Sequence, residues 1–138
     1  MKIKAIGAIA ILLIIIGASC QSDDQIEFKR YYSGGSLVYQ QHCQNCHGDK
    51  GQGLSSLIPP LTDSTYLKQN KAVLACFIKN GLKGKITVAG RTFDDDMQAD
   101  DIAPLEIAKV LTYVSNSFGN KMGTVTLQQV QDDLRNCK

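Results

Sequence analysis

The sequence predicts an all-α domain, helices joined by glycine-rich loops, with a short helical extension at its C-terminal end. Three observations predict it. The first is the segment from Pro104 to Gly119: Pro104 stands near a helix start, Glu106 lies in the first turn, and Leu105, Ala108, Leu111, Thr112 and Ser115 recur at helical spacing. Val110, Tyr113, Val114 and Phe118 widen that apolar stripe, and Gly119 is the expected stop. The second is the concentration of Gly, Pro and Ser between periodic segments, above all in residues 48–64 with Gly48, Gly51, Gly53 and Pro59-Pro60. The third is the scarcity of period-two alternation, which leaves little room for strands.

The remaining elements follow in chain order. Lys2 and Lys4 precede an apolar run, Ile6 to Ile16, which is shorter than the ~20 residues of a spanning helix and reads as a secretory signal over residues 1–19. Gly17-Ala18-Ser19-Cys20 resembles the lipobox of bacterial lipoproteins, with Gly17 where that motif prefers Leu. The resemblance implies acylation of Cys20 and a lipid anchor in the cell envelope; a plain signal with an incidental Cys is the alternative. A free thiol at the start of an exported chain is a reactive liability, which weighs for the lipid. Residues 20–34 read as a polar tether, with Phe28, Tyr31 and Tyr32 available to fold back on the domain. Ser36 is the expected cap of a first helix running to about Gln44. Residues 65–80 predict one or two helices ending at Asn80-Gly81, residues 81–90 a loop with at most a short extended piece, and the segment after Thr126 a weaker last helix. The organisation is therefore a signal at 1–19, a tether at 20–34, a domain at 35–120 and an extension at 121–138 packed on that domain.

Charge excludes one class of partner. Residues 1–19 hold two of the fifteen basic side chains and none of the thirteen acidic ones, so the remainder balances at thirteen of each. No basic stripe with interleaved aromatics is present, and no nucleic-acid partner is expected. Nor does the sequence hold a nucleophile triad, a paired-carboxylate site or a phosphate loop; an enzyme is not expected.

The chemistry concentrates in Cys43-Gln44-Asn45-Cys46-His47. A Cys-x-x-Cys-His run is the attachment signature of c-type haem: two thiols three positions apart reach the porphyrin vinyl groups, and the adjacent His becomes the proximal iron ligand. Thiol–disulfide exchange would place the pair after a strand, and none is expected before Cys43. Zinc would need a better-spaced second pair than Cys76 and Cys137. The motif occurs once, which implies one covalent haem c. His42 adjoins Cys43 and cannot reach the opposite haem face, so it is expected on the surface. The sixth ligand is then the thioether of Met97, 50 residues after His47 in a non-helical stretch, or of Met122 beyond the strongest helix; Met97 is favoured.

With these residues the chain resembles the class I cytochromes c, over residues 34–119. Gly35 and Tyr39 match the family's first helix, Val110 and Tyr113 the last helix that crosses it, and Pro59-Pro60-Leu61 the family's Pro-Pro-Leu turn. The resemblance implies a class I fold around the haem, His47 and Met97 as axial ligands, and a proline carbonyl, of Pro59 or Pro60, accepting a hydrogen bond from His47. Arg91 or one of the lysines is the implied contact of a haem propionate. Where relatives carry a proline after the methionine, this chain reads Asp94-Asp95-Asp96-Met97-Gln98.

Cys76 and Cys137 remain as an even pair in an oxidising compartment, and a bridge between them would pin the extension to the domain, worth about 3 to 4 kcal/mol on the chain-entropy model. Six basic residues and no acid lie between Lys68 and Arg91, and six acids and no base between Asp94 and Glu106. Opposed patches of this kind orient a redox partner. The expected function is single-electron transfer between exported or membrane-bound redox proteins, such as a membrane oxidase, reductase or dehydrogenase. The alternatives are a cytochrome subunit of such a complex, or a haem sensor or peroxidase-like protein with a labile sixth ligand.

Overall fold

The computed structural model describes residues 23–137. The signal, Cys20 and the first part of the tether lie outside these residues. The described chain is largely helical. In order it forms α1 (Asp23–His42), α2 (Gln44–His47), α3 (Ser64–Gln69), a 3-10 turn (Lys71–Val73), α4 (Leu74–Asn80), strands β1 (Ile86–Val88) and β2 (Arg91–Phe93), α5 (Pro104–Val114) and α6 (Leu127–Arg135).

Helix α1 begins thirteen residues before Ser36, so most of the stretch read from sequence as tether is helical. Its amphipathic pattern is weak, and what holds it is tertiary packing. Asp23 and Asp24 sit favourably at its N-terminal dipole. Phe28 stacks on Tyr32 at 5.7 Å between ring centroids, and Tyr32 packs on Tyr113 of α5 at 5.2 Å. The Tyr32 hydroxyl also shares a 3.0 Å hydrogen bond with that of Ser117.

The crossing of α1 over α5 organises the core. A Cβ on Gly35 would lie 2.0 Å from the Lys109 carbonyl oxygen, so the two backbones meet where only glycine fits. Tyr39, Ile107, Ala108 and Val110 are fully buried around that point. Pro104 opens α5, and the Glu106 carboxylate accepts from the Ala103 N–H at 2.9 Å. The helix stops at Val114, short of the expected Gly119. Phe118 takes a positive φ of 57° and turns its ring onto Tyr39 at 5.3 Å. The Asn120 amide then closes the turn by donating to the carbonyls of Val114 and Leu61.

Residues 64–80 form three short helical pieces rather than one or two. Asp63 caps the first: one carboxylate oxygen accepts from the Thr65 and Tyr66 N–H groups, and the other from the Ala89 N–H at 2.9 Å. The same side chain thereby ties α3 to the turn of an antiparallel hairpin, Ile86–Val88 against Arg91–Phe93. That hairpin extends past the loop expected at 81–90 because Val88 and Phe93 are both buried. At the C-terminal end the Thr126 hydroxyl caps α6, Val130 is fully buried, and Cys137 is bonded to Cys76 of α4.

Candidate functional site

The last turn of α1 delivers Cys43, and the single turn of α2 carries Cys46 and His47. Helix α1 fixes this unit from behind: the buried Tyr39 hydroxyl donates to the Gly48 carbonyl at 2.6 Å. The following loop folds back on it, with the Gly53 N–H donating to the His47 carbonyl at 2.8 Å. Cys43 is half-buried and Cys46 exposed. Burial, then the nearby Asp100 carboxylate and Cys46, push the Cys43 thiol up to about 11.

His47 Nδ1 lies 3.2 Å from the Pro59 carbonyl oxygen, which resolves the choice between Pro59 and Pro60 as hydrogen-bond partner. A carbonyl only accepts, so Nδ1 carries the proton and Nε2 keeps a free electron pair. Burial lowers the His47 pKa, opposed by the Pro59 bond, and so favours this neutral imidazole. Pro60 is buried beside it and lines the same cavity.

That cavity has a volume of about 410 Å³ and is walled mainly by apolar side chains, among them Leu67, Leu74, Phe77, Leu82, Leu111 and Val114. Cys43, Cys46, His47 and Met97 all line it, although Met97 lies 50 residues from His47. Met97 is held there by its backbone, which exchanges two hydrogen bonds with Leu82 at 2.9 and 3.0 Å. Met122 packs against the core and is not part of the cavity wall. Two free thiols, an imidazole with an available Nε2 and a thioether around one apolar cavity are the donor set that a covalently attached haem requires.

Two side chains lie elsewhere than the sequence indicated. Arg91 does not line the cavity; its guanidinium donates to the Ser55 carbonyl at 3.3 Å and lies 5.3 Å over the Phe93 ring. No lysine or arginine lines that cavity. His42, expected on the open surface, sits on the cavity rim with Nδ1 2.9 Å from an Asp100 carboxylate oxygen. No local signal links two residues 58 positions apart. The two charge runs also abut rather than oppose: Lys79 pairs with Asp101, and Lys85 with Asp94 at 3.8 Å.

A helical fold with a Cys-x-x-Cys-His turn opening on an apolar cavity is that of a c-type cytochrome. Residues 32–114 match the family model described as cytochrome c oxidase, cbb3-type, subunit III, and the chain belongs to this c-type cytochrome family. It is similar to cytochrome c-552 of Thermus thermophilus, 29% identical over 91 residues, covering 62% of this chain and 69% of that relative. A second cytochrome c-552, from another strain of the same species, shows the same identity, with 61% of its length covered. The chain thus spans about two thirds of the length of these relatives or somewhat less. Its family role is that of an electron carrier and not of a catalyst. The matched segment holds Cys43, Cys46, His47 and Met97 and ends before the extension that carries Cys137.

Proposed function

We propose that this chain is a single-electron carrier of class I type with one haem c. Cys43 and Cys46 form the thioether links, and His47 and Met97 are the axial ligands. The observation that carries the reading is the convergence of these four side chains on one apolar cavity. When bound, the haem supplies a one-electron iron couple. The Pro59 carbonyl orients the His47 ring and strengthens it as a donor. The apolar wall excludes water, and the soft Met97 thioether favours the reduced state of a bound iron.

The proposal extends to the setting. An export signal at residues 1–19 and a lipid on Cys20 would hold the carrier at the cell envelope, where an oxidising environment keeps the Cys76–Cys137 bridge intact. The description of the matching family as an oxidase subunit supports a membrane oxidase as redox partner, with this chain as a tethered shuttle or as a subunit of the complex.

The ligand assignment is tested on the ferric protein. Methionine ligation gives a weak absorption band at the red end of the spectrum; Met97→Ala is expected to abolish it and Met122→Ala to retain it. Retention of the band in Met97→Ala would overturn the assignment.

A further inference from the structure

We propose that the His42–Asp100 pair is a latch between the haem-attachment segment and the Met97 loop, which makes both side chains positioning residues for the distal ligand. The inference rests on the His47/Met97 reading given above. The loop at 94–101 lacks the proline found in relatives, and Asp94, Asp95, Asp96, Gln98 and Ala99 are all exposed. It is fastened on one side to the α4 region. Met97 exchanges backbone bonds with Leu82, the Asp100 N–H donates to the Ile78 carbonyl at 2.9 Å, and Lys79 pairs with Asp101. Gly81 permits that approach, since a Cβ there would lie 2.6 Å from the Met97 carbonyl oxygen.

None of those fastenings reaches the segment that bears the thiols and the proximal imidazole. Among the described residues, the hydrogen bond between His42 and Asp100 is the one that joins residues 42–47 to residues 94–101. Both partners line the cavity, one beside Cys43 and the other three residues after Met97. At 2.9 Å, with the two side chains 34% and 32% exposed, the pair is sheltered enough for a charge-assisted bond to outweigh solvent screening. Without it the loop remains hinged on α4 and Leu82, free to swing its methionine away from the attachment side.

The experiment uses the holoprotein in its ferric form with imidazole as a competing ligand, following by stopped flow the rate at which the methionine band disappears. At saturating imidazole this rate reports loop opening. His42→Ala and Asp100→Ala are each expected to raise it by about threefold to tenfold, the range for losing a partly exposed charge-assisted bond. The double variant is expected to open no faster than either single one, because the same contact is already gone. Asp100→Ala, remote in sequence from the thiols, carries the test alone if His42→Ala impairs haem attachment. Wild-type opening rates in the single variants, or multiplying effects in the double variant, overturn the latch while the methionine assignment stands. A band that survives Met97→Ala overturns the assignment and the latch with it.

Discussion

At Gly35 the constraint is steric. A side chain there meets the Lys109 carbonyl oxygen at 2.0 Å and the Tyr113 Cβ at 2.8 Å, and neither is the free end of a flexible chain. Gly35→Ala is therefore expected to cost about 3 kcal/mol by forcing α1 and α5 apart, read as a drop in thermal midpoint. A loss below about 0.5 kcal/mol would mean that the crossing yields easily. The residues that name the site were legible in the sequence for a related reason: Cys43, Cys46 and His47 act through a fixed local spacing. Pro59 was legible only as one of two, because both prolines offer a carbonyl and the choice depends on how the loop returns to His47. His42 and Asp100 were not legible as a pair, since their contact exists only once α1 and the Met97 loop are brought together.

Among the elements, α5 was readable because burial on one face, a proline at its start and a carboxylate in its first turn all agree. The early part of α1 was not. Its apolar mass is a few aromatics that become helical only by stacking on Tyr113 and one another. The hairpin at 86–93 was hidden for want of length, and it is steadied by Asp63 from outside. The Ala89 N–H, with those of Tyr66 and Thr65, holds the Asp63 carboxyl below the usual carboxylate range. A depressed folded pKa stabilises above the unfolded value and loses that contribution as pH falls through the folded one. Asp63→Ala is accordingly expected to cost about 1 kcal/mol at neutral pH, with the gap narrowing below about pH 4. A gap that stays constant down to about pH 2 would assign the loss to packing instead.

For the molecule as a whole, the matched family segment ends at residue 114, yet the chain continues through a turn into α6 and returns to α4 by the Cys76–Cys137 bond. The extension is also tied by Thr112, whose hydroxyl accepts from the Val125 N–H, and by Asn116, which bonds Met122 and Gly123. Since α4 carries cavity residues on its other side, the bond braces one wall of the haem site from behind. Replacing both cysteines by serine is expected to remove about 3 to 4 kcal/mol of stability while leaving the haem attached. An unchanged denaturation midpoint would show that noncovalent packing suffices. The account depends most on the claim that Cys43 and Cys46 hold one haem covalently, and the mass of the denatured, exported holoprotein tests it directly. The predicted result is a polypeptide heavier by a single haem that survives acid and organic solvent, lost when both cysteines become alanine. A polypeptide mass without haem, or one unaltered by those substitutions, would contradict it.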